Sequence, residues 1–156
     1  MSIYVFVYGT LRAGEINDLA RAAARRGLTA PRPVGRGTVR GTLYDFGDWP
    51  GLLPDGGGQA IVGDIHEVDP ALLALMDEIE EVDPSGGSCF LRRKTRVRLE
   101  APARAAGGRG EVGVGVGKET FLDCYYYPID PAWAGAALAT PATDWVAYRR
   151  GRARPA

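Results

Sequence analysis

The chain has 156 residues, enough for one domain with a core of its own. Its 46% hydrophobic and 24% charged residues are ordinary for a globular protein, and 19 Lys and Arg balance 19 Asp and Glu, which argues against a nucleic-acid partner held through a basic surface. One histidine, His66, and two well-separated cysteines, Cys89 and Cys124, are too few for a typical zinc centre and give no disulfide framework, so no metal is expected.

From Met1 the chain enters an almost wholly apolar run, Ile3 to Tyr8, which suits a strand covered on both faces. It lacks the basic start and cleavage site of a signal peptide, and no apolar run nears the roughly 20 residues that span a bilayer. A reducing, cytoplasmic setting without a membrane partner is therefore expected. Gly9 to Arg12 leaves the strand as a turn. Asn17 or Asp18 caps a short helix that runs through Arg26 and stops at Gly27, with Leu19, Ala22 and Ala23 as its buried face. Pro31 to Gly37 reads as a connector, Thr38 to Phe46 as a strand, and Gly47 to Gly58 as a long turn-rich loop. Ala60 to Val68 alternates as a strand. Asp69-Pro70 starts a helix to about Glu81, which Pro84 and Gly86-Gly87 end. Phe90 to Glu100 and Thr120 to Tyr127 are strands joined by the Ala- and Gly-rich stretch 101–117. Trp145 and Tyr148 lie in a short helix capped by Thr143 or Asp144. The order predicts one α+β domain over residues 1–150, a mixed barrel-like sheet with short helices at its rim, and a frayed tail over 151–156.

The helix from Asp69 carries the most informative local signal. At about 100° per residue, Leu72, Ile79, Leu75, Met76 and Leu73 define a buried arc, and Glu80 falls inside it. Asp77, Glu78 and Glu81 fall outside. A carboxyl facing apolar surroundings must be protonated, paired or hydrogen-bonded. It also has a raised pKa, as a general acid/base near neutral pH requires. Helix geometry alone favours the other reading, in which Glu80, near the helix end, reaches solvent or pairs with an arginine.

Six segments in order resemble the gamma-glutamylcyclotransferase-like superfamily, which includes the AIG2-like proteins and the gamma-glutamylamine cyclotransferases. They are Tyr8-Gly9-Thr10-Leu11-Arg12; Gly41 to Asp45 with Trp49-Pro50-Gly51; Val62 to Val68; Met76-Asp77-Glu78-Ile79-Glu80; Phe90-Leu91-Arg92-Arg93; and Asp144-Trp145. The resemblance implies a barrel-like α+β fold and a small gamma-glutamyl substrate. It implies conversion of that substrate to 5-oxoproline plus a free amine or amino acid, with no organic cofactor. It makes the backbone of Tyr8 to Leu11 the substrate-binding loop, with Arg12 either holding a carboxylate or bracing the loop. It makes Glu80 the catalytic acid/base and places a late-strand tyrosine in the pocket, here Tyr126 or one of its neighbours Tyr125 and Tyr127. Glu81 departs from the pattern, which often has glycine there, and His66 and Phe90 stand where tyrosine is common.

Gly113 to Glu119 misses the phosphate-loop pattern, because Val112 replaces its first glycine and Glu119 its Ser/Thr. Cys89 and Cys124 read as small buried residues, His66 as a strand surface residue, and Arg92, Arg93, Lys94, Arg96 and Arg98 as a solvated strand face. A non-catalytic binding or interaction domain on the same fold is the alternative function.

Overall fold

The computed structural model describes residues 2–12, 14–82, 88–100 and 120–153. Seven strands and three α-helices follow in the order β1 (Ile3–Val7), α1 (Leu19–Arg25), β2 (Arg32–Asp45), β3 (Pro50–Pro54), β4 (Gln59–Val68), α2 (Pro70–Ile79), β5 (Arg93–Leu99), β6 (Thr120–Tyr126), β7 (Leu138–Thr140) and α3 (Trp145–Ala153). A 3₁₀ helix, Pro131–Ala136, precedes β7.

The sheet runs β3-β2-β4-β1-β6-β5, and β2 also pairs with β5. That second pairing closes β2, β4, β1, β6 and β5 into a five-stranded barrel. β1 and β6 are parallel, with Val5 opposite Tyr125, and the other pairings are antiparallel. The 14-residue β2 serves two neighbourhoods. Its first part pairs with β4 and β5, and its end, Gly41 to Asp45, pairs with β3 and β7.

Strand alternation sorts the core into two layers. Phe6, Tyr8, Ile61, Ile65, Val97, Cys124 and Tyr126 point into the barrel, which the fully buried Trp145 of α3 helps to fill. Val5, Val7 and Val68 point outward beneath α1 and α2, against Leu19, Ala22, Ala23, Leu72, Leu73, Leu75 and Met76. β1 is thus covered on both faces, as its apolar sequence predicts.

The helices begin as expected. The Asp18 carboxylate accepts from the amides of Ala20 and Arg21, Asp69 from Leu72, and Asp144 from Val146 and Ala147. Three expectations need correction. Residues Arg32 to Gly37 form the first part of β2, because the chain continues its register on β4 through a bulge at Val34. Pro50 to Pro54, expected within a loop, is β3, paired to the end of β2. α3 runs through Ala153, past the start of the expected tail, with Arg149 held by Glu15. The 101–117 connection and residues 154–156 lie outside the described residues.

Candidate active site

A cleft of about 990 Å³ opens where β1 runs out into the loop after Val7. Tyr8, Gly9, Thr10 and Leu11 form one wall, and Glu80 and Glu81 at the end of α2 form another. Trp49 and Pro50 from the β2–β3 turn, Cys89, and Tyr127 just after β6 also line it.

The loop is held from behind. Gly9 carbonyl accepts from Arg12 N–H (3.0 Å), Thr10 carbonyl from Asn17 N–H (2.8 Å) and Leu11 carbonyl from Leu19 N–H (3.1 Å). The Thr10 hydroxyl accepts from the Asn17 side-chain amide at 3.1 Å. The carbonyls are therefore engaged, while the amides of Gly9, Thr10 and Leu11 reach no acceptor among the described residues. Successive unsatisfied N–H groups at a cleft wall form a receptor for an anionic oxygen. Gly9 has a steric reason to be glycine: a Cβ there would stand 2.5 Å from Pro50 Cγ. The Trp49-Pro50-Gly51 turn thus packs directly on the loop, and Trp49 stacks on Phe46 with ring centroids 6.0 Å apart.

Tyr8 is buried, and both capacities of its hydroxyl are used. It donates to the Tyr127 carbonyl (2.7 Å) and accepts from Leu52 N–H (3.0 Å). Burial first, and the neighbouring Glu80 charge second, hold its pKa well above the usual tyrosine value. Tyr8 joins β1 to β3 and β6 while its ring forms part of the cleft.

Arg12 does not line the cleft. It is 5% exposed, with Nε 3.2 Å from Asp64 and Nη1 2.9 Å from Asp144. A buried guanidinium between two carboxylates fixes the loop to β4 and to the N-cap of α3.

Tyr126 is also displaced from the expected site. It points into the barrel, and Tyr127 lines the cleft instead. The reason is the two-residue period of β6, which leaves consecutive tyrosines on opposite faces. The Tyr127 hydroxyl donates to Asp77 at 2.7 Å, and Asp77 also pairs with Arg92. Burial and the Asp77 carboxylate raise the Tyr127 pKa.

Glu80 lies where the helical pattern puts it. α2 ends at Ile79, but Glu80 keeps helical dihedrals (φ −83, ψ −4) and its N–H still reaches the Met76 carbonyl at 2.9 Å. No hydrogen bond or ion pair to its carboxylate is found among the described residues. Burial, and then the charge of Glu81, push its pKa from 4.5 to about 7. A carboxyl so placed exchanges a proton readily near neutral pH.

Several lining residues carry no motif that would have marked them. Glu15 is buried and accepts from Arg149 Nη2 at 2.8 Å, so α3 and the first loop meet at the cleft through a neutralised pair. Cys89 was expected to be buried, but it is only partly so and lines the cleft. Burial and nearby Glu80 raise its pKa, which disfavours the thiolate. Cys124 is fully buried, and its pKa is pushed up to about 12. His66 is less exposed than a surface reading suggests. Both ring nitrogens are buried without hydrogen-bond partners among the described residues, because it shares with Val5 the face that the helices cover. Arg92, Arg93, Lys94, Arg96 and Arg98 are exposed, as expected of a solvated strand face.

A family model described as gamma-glutamyl cyclotransferase, AIG2-like, matches residues 5–147. The chain is 31% identical over 147 residues to a gamma-glutamylaminecyclotransferase of Rattus norvegicus, covering 92% of this chain and 83% of the relative. It is 34% identical over 82 residues to a gamma-glutamylaminecyclotransferase of Mus musculus, and this match spans only 54% of that relative's length. The crystal structure of an AIG2-like protein from Mus musculus superimposes with a TM-score of 0.63 at 23% identity, covering 92% of this chain and 88% of that one. That likeness is one of fold.

Proposed function

The chain belongs to the AIG2-like gamma-glutamyl cyclotransferase family, and from that premise we propose that it cyclises a small gamma-glutamyl compound to 5-oxoproline and releases a free amine or amino acid. The observation that carries this reading is Glu80. It is a carboxyl with a pKa of about 7, in the same cleft as three loop amides that have no acceptor among the described residues.

In this reading the amides of Gly9, Thr10 and Leu11 receive the carboxylate of the glutamyl group, with Tyr8 shaping the wall beneath it. The substrate's neutral alpha-amine attacks its own gamma-carbonyl carbon. A new C–N bond closes the five-membered ring, and Glu80 accepts the proton that the amine loses. Glu80 then returns that proton to the departing nitrogen as the original amide C–N bond breaks. Nucleophile and electrophile belong to one molecule, so a cleft that holds the chain folded back supplies much of the acceleration. Arg12 acts at a distance, by fixing the loop. Tyr127 and Cys89 face Glu80 as neutral groups that keep its surroundings poorly solvated.

The test is 5-oxoproline release from a panel of gamma-glutamyl amines and dipeptides, with wild type and Glu80→Gln in parallel. Release by wild type that falls by roughly two orders of magnitude or more in the variant is expected. Equal release from both removes Glu80 from its role. No release from a folded wild type favours a binding domain of the same fold.

A further inference from the structure

α2 ends in an arrangement that usually requires glycine. The Val82 N–H reaches the Asp77 carbonyl at 3.0 Å, and the Glu81 N–H reaches the Glu78 carbonyl at 3.0 Å. These are the paired bonds of a Schellman cap, whose first residue beyond the helix adopts the left-handed conformation. That residue is Glu81, with φ of 57°, the one non-glycine with positive φ among the described residues. A side chain at this position costs about 1 kcal/mol relative to glycine. The helical pattern sends residue 81 away from the apolar arc, yet the left-handed turn leaves Glu81 lining the same cleft as Glu80.

Glu81 is exposed to solvent at the cleft. From the other elements, Glu80 is faced by Tyr8 at the end of β1, by Cys89, and by Tyr127 after β6. Glu15 and Arg149 neutralise one another, and Asp48 stands with Trp49 on the β2–β3 turn. Arg92 is taken by Asp77. No cation stands within ion-pair distance of Glu80 or Glu81 among the described residues.

We propose that Glu81 is a positioning residue for the proton of Glu80: the left-handed cap keeps a second carboxylate, with no cation partner among the described residues, at the cleft, and its repulsion makes Glu80 retain a proton that it would otherwise release. The catalytic meaning of this rests on the reading given above, but the effect on Glu80 does not. Glycine at 81 would close the helix with less strain. The glutamate exchanges some stability for control of its neighbour's charge.

The experiment is a carbon-13 carboxyl titration of the full chain without substrate, with the Glu80 signal assigned by its loss in Glu80→Gln. In Glu81→Gln the Glu80 midpoint should fall by ~0.5–1 pH unit, and in Glu81→Lys it should fall further. Glu81→Gly should lower it as Gln does while raising the thermal midpoint, an outcome that a purely structural role for Glu81 does not give. The acid limb of any pH–rate profile should move with the titration. A Glu80 midpoint unchanged from wild type in both Glu81→Gln and Glu81→Lys overturns the proposal. Turnover that survives in Glu80→Gln would count against the cyclotransferase mechanism and leave this titration intact.

Discussion

Replacing Glu80 by glutamine should make the protein's stability respond differently to pH, whatever substrate the cleft takes. The folded-state pKa is raised from 4.5 to about 7. A raised carboxyl binds more protons in the folded than in the unfolded chain between those two values. Its contribution is therefore fully present below about 4.5 and is lost as pH rises through about 7. At about 1.4 kcal/mol per pH unit, that span corresponds to at most about 3.5 kcal/mol. Water entering the cleft reduces this, so 1–3 kcal/mol is a fair range, on the order set by that linkage. Glutamine has nearly the same shape and no titrating proton. The difference in unfolding free energy, wild type minus Glu80→Gln, should thus fall by about 1–3 kcal/mol between pH 5 and pH 8.5. Urea denaturation of both proteins at four or five pH values measures it directly, because titrating groups that do not interact with Glu80 cancel in the difference. A difference that stays constant across that range would refute the claim that Glu80 is desolvated, and with it the physical basis for an acid/base at this position.

Two further substitutions test the frame that holds the loop. Gly9→Ala should destabilise the fold by about 1–3 kcal/mol and depress 5-oxoproline release, since its methyl would overlap Pro50 and push apart two cleft walls; denaturation and turnover measured on the same preparation check this. Arg12→Met should cost about 3 kcal/mol or more, because it leaves Asp64 and Asp144 without the buried cation between them. Adding Asp64→Asn to Arg12→Met should recover part of that loss, and a double-mutant cycle in urea reads the coupling.

Much of this architecture is written in local sequence, though unevenly. Ile3 to Tyr8 announces a strand buried on two sides, and the structure covers it with the barrel interior and two helices. Asp18, Asp69 and Asp144 announce helix starts because capping is a short-range interaction. Glu80 is legible for a similar reason: helical dihedrals persist just far enough for the periodicity to apply to it. Glu81 is one residue beyond that limit, and a single left-handed dihedral redirects the chain in a way no periodicity encodes. β3 is hidden because its five residues include two prolines and a glycine, and only its pairing with β2 makes it a strand. Alternation in Tyr125-Tyr126-Tyr127 requires opposite faces but does not say which face meets the cleft. The Glu15–Arg149 pair lies furthest from reach, since 134 positions separate its members.

That separation bears on how the molecule comes into being. β1 lies between β4 and β6, and its β6 partner at Tyr125 is 125 − 5 = 120 positions from Val5. The loop after β1 depends on Asp144, 132 positions from Arg12. A ribosome extending the chain at ~5–20 residues per second thus spends several seconds with one edge of β1 exposed and β6 not yet made. β2, β3 and β4 are adjacent in sequence and can pair during that interval, whereas barrel closure must wait for β6 and the loop brace for α3. The end of the protein that carries the cleft is thereby the last part to take shape in biosynthesis. Destabilising changes at Asp144 or Trp145 should show first as slow maturation and capture by chaperones, before they show as a lower melting point.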